Sequence, residues 1–224
     1  MNKKIDIKPI AIALIVVGFL FFIKLQFPLY KVTSDAMLNS LKEGQIVLVN
    51  TWADLKTRDV VVVEHNDEVF MSRIIASYGD ELFSKDGKVE VNGQLEPDTN
   101  LLFEYHIYCT SEVNDSIVVN FDELYPKREY KAYITSYWAD SLKMADGIKR
   151  IEKINHSKNT VPILSKDSTF VGNRDNFGPI KVPNNKSFYW LMGDNRHKAK
   201  DSRYLGFISE DEIIGKVVYT FNGF

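Results

Sequence analysis

The chain has 224 residues, and its 28 basic and 30 acidic side chains give a net charge of −2 at neutral pH. With a pI near 6.1 the sequence offers no broad basic surface, which argues against nucleic acid as a partner. The single cysteine, Cys109, excludes an internal disulfide, and no Cys/His cluster has zinc-ligand spacing, so we expect no metal and no other cofactor. After a hydrophobic N-terminus about 195 residues remain, enough for one domain or one domain with a large insertion.

The N-terminal region combines basic residues with a long apolar run. Residues 9–23 carry no charge and follow three lysines. As a helix this run is about 22 Å long, which is shorter than the hydrocarbon core of a bilayer. If the helix continues to Phe27, with the Lys24 side chain extending to the membrane surface, its length comes close to the thickness of that core. A cleaved secretory signal would need small residues at its end, and residues 24–30 contain none. We therefore predict a transmembrane anchor within residues 1–30, with its N-terminus cytoplasmic.

Apolar runs predict most of the remaining elements as strands. Short runs rich in Val, Ile and aromatic residues occupy 46–49, 58–63, 69–76 and 188–192. Asp-Gly and Asn-Gly pairs within 83–94 are typical of a β-hairpin. Alternating residues predict further strands between 95 and 183, and apolar residues at helical spacing predict one helix over 139–153. The chain closes with a helix cap at Ser209 and a last strand.

Charged side chains crowd the segment after the predicted strand 188–192. Gly193-Asp194-Asn195 ends that strand with turn chemistry, and the charges in residues 196–203 alternate in sign. Such a segment is either a solvated surface turn or a loop that must keep a fixed shape. Its position between two apolar segments favours the fixed loop.

Four sequence boxes occur in order along the chain. They are Ser34, Met37, Leu41 and Gly44 before the strand 46–49; the β-branched run at 59–63; Arg73 with Gly79-Asp80; and Gly-Asp-Asn-Arg with Asp-Ser-Arg at 193–203. This series resembles the signal peptidase I family (S26 type), membrane-bound serine endopeptidases that cleave signal peptides from translocated preproteins with a Ser/Lys dyad. The resemblance covers residues 5–80 and 186–221.

The resemblance implies a mainly β fold, a signal-peptidase-like β-barrel domain with an inserted α+β lobe behind one transmembrane helix. It divides the chain into a cytoplasmic stub and anchor at 1–30, a β core at 31–94 and 184–224, and an inserted, mainly β lobe at 95–183. It also implies a bacterial-type cytoplasmic (inner) membrane, a single pass, and a main domain on the outer side.

Three positions at which the family carries its reacting groups hold other residues here. The resemblance places the nucleophile at Ala36, the general-base lysine at Ser72 and a serine beside that lysine at Ala199. A methyl group cannot form an acyl intermediate, and a serine hydroxyl lacks the basicity of a neutral lysine amine. We therefore predict a catalytically degenerate site.

Other site residues implied by the resemblance are present. Ser34 corresponds to a serine of the oxyanion hole, although it is equally well a simple loop serine, and Met37 belongs to the same groove. Arg73, Asp201 and Arg203 are expected to form structural ion pairs near the site.

Three hypotheses for function follow. The first is a non-catalytic paralogue that binds signal peptides or exported preproteins, or an active signal peptidase, beside the membrane bilayer. The second is an active endopeptidase with a relocated dyad of Ser34 and either Lys198 or Lys200, which would require attack geometry to survive a two-residue move. The third is a structural envelope protein with a vestigial groove.

Overall fold

The computed structural model describes residues 8–97, 101–109, 121–123, 129–134, 139–140, 148–153, 174–184 and 187–221, and in these ranges the chain is mainly β. The helices are α1 (Lys8–Gln26) and α2 (Ser202–Leu205), with 3₁₀ turns at Asp35–Met37 and Glu210–Glu212. The strands are β1 (Leu29–Lys31), β2 (Ile46–Asn50), β3 (Val60–His65), β4 (Glu68–Ser77), β5 (Glu81–Lys85), β6 (Lys88–Val91), β7 (Gln94–Leu95), β8 (Phe103–Cys109), β9 (Phe121–Glu123), β10 (Glu129–Ile134), β11 (Ile148–Lys153), β12 (Phe177–Lys181), β13 (Phe188–Met192), β14 (Ile208–Ser209) and β15 (Ile213–Phe221). Across the described ranges, no helix has both the length and the apolar character needed to cross a membrane.

The largest sheet has seven strands in the order β1-β2-β15-β3-β4-β13-β14, and its neighbouring strands are antiparallel. The predicted strands 46–49, 58–63, 69–76 and 188–192 all lie in it as β2, β3, β4 and β13. Its central strands β3 and β4 are rich in Val and Ile because both of their faces are covered. The sheet is open among the described strands, so the closed barrel implied by the resemblance is not formed by these pairings.

A second sheet of four strands, β12-β5-β6-β7, packs beside the first. Its β5–β6 hairpin turns at Asp86 (φ 52°) and Gly87 (φ 74°), and the β6–β7 turn repeats this geometry at Asn92 and Gly93. Positive φ at both central residues is what Asp-Gly and Asn-Gly pairs favour, so the hairpin prediction over 83–94 is confirmed.

The third sheet has the order β11-β8-β10-β9 and lies within residues 103–153. The helix predicted over 139–153 is wrong for its last six residues, because Ile148–Lys153 is strand β11, antiparallel to β8. A spacing of three favours a helix, but pairing with β8 satisfies the backbone of β11, and the register shift between Ile148 and Arg150 interrupts the regular alternation of the strand. Residues 141–147 lie outside the described ranges.

The core that positions the site lies on both faces of the seven-stranded sheet. Val47, Val49 and Val62 pack with Met37 of the first 3₁₀ turn on one side. Trp190 and Ile75 pack against Leu82 of the second sheet, and Val61 and Leu191 belong to a separate buried cluster on the other side of the large sheet. The 3₁₀ turn and the end of β13 are therefore both fixed by buried apolar contacts.

Candidate functional site

The segment after β13 is a buried loop, although it is densely charged. The strand β13 is buried at Trp190, Leu191 and Met192. Three charged residues of the loop that follows are no more than 1% exposed, namely Asp194, Asp201 and Arg203. Charged groups are rarely buried unless they are paired, so each must have partners in the fold. The loop holds a fixed shape, which is the interpretation that its position between apolar segments favoured.

Asp201 and Arg203 form one buried ion pair within this loop. Arg203 Nε donates to Asp201 Oδ1 at 2.8 Å, and Nη2 donates to Oδ2 at 2.8 Å. Burial alone would lower the pKa of Arg203, but the Asp201 carboxylate outweighs it and raises that pKa above its ordinary value. Asp201 Oδ2 also accepts a 2.9 Å hydrogen bond from the backbone N–H of Gly193, which ties both ends of the loop together.

Arg73 pairs with Asp194 and not with Asp201. Its Nε donates to Asp194 Oδ1 at 2.7 Å and its Nη2 to Oδ2 at 2.6 Å, while the Ser40 hydroxyl donates to the same carboxylate. The hydrogen bond to Asp194 is the main cause that raises the pKa of Arg73 above its ordinary value. This pair joins β4 to the loop and is separate from the pair of Asp201 and Arg203.

Ala36 is held against the same loop through its backbone. Asn195 donates its backbone N–H to Ala36 O at 2.9 Å, and its Nδ2 donates to Asp35 O at 3.2 Å. A Cβ added at Gly193 would lie 2.6 Å from Ala36 O and would also collide with the Ala199 methyl group. Ala36, Gly193 and Ala199 thus converge at one tightly packed point.

Ser72 lies inside the sheet. It pairs with Val61 of β3, its neighbour Arg73 pairs with Met192 of β13, and its side chain is 1% exposed. Its hydroxyl has no hydrogen-bond partner within the described ranges. A buried hydroxyl therefore occupies the position at which the resemblance expects a lysine.

An open cleft of about 320 Å³ lies beside Ala36. It is lined by Ser34, Asp35, Ala36, Glu68, Phe70, Lys198, Lys200 and Leu205. Ser34 caps the 3₁₀ turn, where its Oγ accepts from Ala36 N at 3.5 Å. Met37 is buried in the core and is not among the lining side chains.

Two ion pairs join the loop to the other walls of this cleft. Lys198 Nζ lies 3.6 Å from Asp35 Oδ2, and Lys200 Nζ lies 3.0 Å from Glu68 Oε2. Both lysine side chains are solvent-exposed, at 41% and 63%. These two lysines share the cleft with Ser34 but extend toward acidic partners.

Two features of this site were not predicted from the sequence. Arg196 Nη2 donates to both carboxylate oxygens of Glu96, at 2.8 and 2.6 Å, which links the loop to the end of β7. The second feature is the close approach at Gly193.

In the described part of the chain, no group of three or more His, Cys, Asp or Glu side chains could hold a metal ion.

The fold and the site define a mainly β protein whose surface cleft lies between a 3₁₀ turn and a loop fixed by buried ion pairs. The model of the signal peptidase, peptidase S26 family matches residues 5–222, and the chain belongs to that family.

Curated relatives agree with this assignment. The chain is 26% identical over 197 residues to signal peptidase IB of Staphylococcus aureus (strain Mu50 / ATCC 700699), covering 86% of this chain and 76% of that protein. It is 28% identical over 207 residues to signal peptidase I of Buchnera aphidicola subsp. Baizongia pistaciae (strain Bp), covering 86% of this chain and 63% of that protein.

Proposed function

We propose that this protein is a signal peptidase I-like component of protein export that binds signal peptides or exported preproteins, or an active paralogous signal peptidase, without cleaving them. The observation that carries the proposal is the convergence at Ala36. The backbone framework around this residue is complete, with Asn195 and Gly193 packed against its carbonyl, but the side chain is a methyl group.

The chemistry supports the non-catalytic part of the proposal. Acyl transfer needs a nucleophile and a base, and the positions that the family resemblance assigns to them hold Ala36 and the buried hydroxyl of Ser72. Loss of one such group already lowers turnover by about 10⁶ in a serine protease. Binding makes no such demand, because an extended segment in the cleft needs only backbone hydrogen bonds and side-chain contacts.

A second candidate is an active endopeptidase that uses Ser34 with Lys198 or Lys200. The observation in its favour is that all three residues line the same cleft. Against it, a lysine base must be neutral, which requires an apolar setting without nearby carboxylates. Lys198 and Lys200 are exposed and lie beside Asp35 and Glu68 respectively.

The proposal includes attachment to a membrane through α1, with the N-terminus on the cytoplasmic side and the β domain on the outer side. The support is the apolar surface of α1, on which side chains such as Leu14, Ile15 and Phe19 are mostly exposed to solvent. Such a surface is stable only when lipid or protein covers it. Extraction of native membranes with carbonate tests this point, because an anchored chain stays in the pellet.

Peptide binding is tested with the full chain in lipid nanodiscs and a fluorescent signal peptide that ends in Ala-x-Ala. Ala36→Arg fills the cleft and should weaken binding at least tenfold, since the added side chain occupies the site. Ala53→Arg, at another partly buried alanine outside the cleft, is the matched control and should bind like the wild type.

The same preparation tests cleavage of a full preprotein. No product band is expected from the wild type. A band that disappears in Ser34→Ala would establish the relocated dyad instead. Absence of both binding and cleavage would leave the structural envelope protein, which should then co-purify with a partner that signal peptide does not displace.

A further inference from the structure

Another open cavity, of about 410 Å³, lies where the turn before β3 and strand β4 meet the β6–β7 hairpin. Its wall includes Thr57 and Arg58 of the turn, Ile75 of β4, and residues 91, 92 and 94–97 of the second sheet. It shares no lining residue with the cleft beside Ala36. A cavity of this size can hold a small organic ligand.

The backbone of Arg58 is held in a conformation that favours glycine. Its φ is 78°, which lies in the left-handed region. Both of its main-chain polar groups are bonded, since Arg58 N donates to Ile74 O at 2.7 Å and Arg73 Nη1 donates to Arg58 O at 2.8 Å. Strain of this kind persists only where the surrounding structure imposes it, and it is concentrated at functional sites. The fold therefore fixes an arginine, at a position that suits glycine, in the wall of the cavity.

The Arg58 side chain is exposed at this wall. Its guanidinium makes no hydrogen bond and no ion pair with the residues that the structure describes. A guanidinium presents a planar set of N–H donors that matches the two oxygens of a carboxylate. Arg58 is thus available to bind a carboxylate that enters the cavity.

Carboxylates already present in the wall are engaged by other donors. Glu96 accepts from Arg196 Nη2 at 2.8 and 2.6 Å. Asp80 accepts from Ser77 N at 2.8 Å, from Ser77 Oγ at 3.0 Å and from Asn92 Nδ2 at 2.7 Å. Because Asp80 keeps its charge, an anionic ligand must contact the guanidinium of Arg58 directly and cannot rely on a general positive field.

The rest of the wall is largely apolar. Val91, Leu95 and Pro97 line the cavity together with Ile75, and Leu95 is 55% exposed. Covering these side chains with an aliphatic group removes apolar surface from water, which favours binding. The wall therefore combines one open guanidinium with an apolar surface.

We propose that this cavity binds a carboxylate attached to a short aliphatic chain, with the carboxylate on Arg58 and the chain against Leu95. A free aliphatic acid and the C-terminus of a peptide that ends in an aliphatic residue share this chemistry. The site is separate from the cleft, so its test does not depend on the binding of signal peptide.

The test measures binding by saturation-transfer difference NMR, with the full chain in lipid nanodiscs and empty nanodiscs as the blank. Pentanoate is compared with pentanamide, which has nearly the same shape and no charge. Acetyl-Ala-Leu as the free acid is compared with its C-terminal amide, so that a peptide terminus is distinguished from a free acid.

Two variants locate the site. Arg58→Gly removes the guanidinium and suits the left-handed backbone, so this variant should fold at least as well as the wild type. Lys56→Gln is the matched control, because it removes a cation from the same turn at a residue that does not line the cavity.

At least one of the acids should bind about tenfold or more tightly than its amide, and Arg58→Gly should reduce its affinity to that of the amide. Lys56→Gln should bind like the wild type. Tighter binding of the dipeptide acid than of pentanoate would identify a peptide C-terminus, and the reverse order would identify a free acid. Equal affinity of acid and amide, unchanged binding in Arg58→Gly, or an equal loss in Lys56→Gln would each overturn the proposal.

Discussion

The buried ion pair of Asp201 and Arg203 allows a quantitative test of how the loop is held. Asp201→Asn keeps the size of the side chain and removes its charge. The Arg203 guanidinium cannot leave, because it also donates to Arg196 O at 2.6 Å and to Arg174 O at 3.2 Å. The variant therefore leaves a positive charge buried without a counter-ion, which costs about 3 to 5 kcal/mol of unfolding free energy.

The measurement is urea unfolding of the detergent-solubilised full chain at neutral pH, followed by tryptophan fluorescence. Glu68→Gln is the matched control, because it makes the same chemical change in the exposed pair with Lys200. Those two side chains are 68% and 63% exposed, and a pair of this kind contributes about 0.2 to 1 kcal/mol. The two variants should therefore differ by several kcal/mol.

A third variant separates the lost charge from lost packing. Asp201→Asn combined with Arg203→Met removes both charges, and the double variant should be more stable than Asp201→Asn alone. A cost of less than about 1 kcal/mol for Asp201→Asn, or a cost no greater than that of Glu68→Gln, would show that Arg203 does not depend on Asp201 as its counter-ion.

Three further predictions follow from single contacts. Gly193→Ala should lose about 1 to 3 kcal/mol of stability in the same unfolding assay, because its Cβ would lie 2.6 Å from Ala36 O; an unchanged urea midpoint would contradict this. Burial raises the pKa of Glu212, but hydrogen bonds from Ser209 outweigh this effect and hold that pKa below its ordinary value of 4.5. The folding free energy should therefore weaken as the pH drops below about 4.5, where Glu212 becomes protonated. In an acid titration, Glu212→Gln should show a shallower loss of stability than the wild type. Ser72→Lys places an amine at a buried position, and burial lowers the pKa of that amine. The variant should be destabilised at pH 7 by about 1.4 kcal/mol per unit by which the pKa is lowered, and it should regain stability as the pH rises towards 10. Equal losses of stability at both pH values would contradict this prediction.

Sequence reasoning located the elements that carry the site because their signals are local. The apolar run 188–192 coincides with β13, and the hairpin turns lie where Asp-Gly and Asn-Gly predicted them. The placement of Ala36 and Ser72 at the positions of the reacting groups came from the resemblance, and the structure puts the first beside the cleft and the second inside the sheet.

The partners within the site could not be predicted because they are distant in sequence. Asp194 lies 121 residues from Arg73, and Glu96 lies 100 residues from Arg196. Alternating charges indicate that the side chains of a loop form ion pairs, but they do not identify the partner of each side chain. The strand β11 was mistaken for a helix for a related reason, since its pairing with β8 depends on a segment elsewhere in the chain.

The hydrogen bonds that tie Gln26 to Asn50 and Thr51 have a mechanical consequence. They leave no free joint between α1 and the seven-stranded sheet, since Pro28 O also accepts from Val49 N at 3.0 Å. We therefore expect a change in the tilt of α1 to be coupled to the edge of the seven-stranded sheet through these three hydrogen bonds. Under the proposed attachment through α1, the direction of the cleft relative to the bilayer would depend on the tilt of this helix.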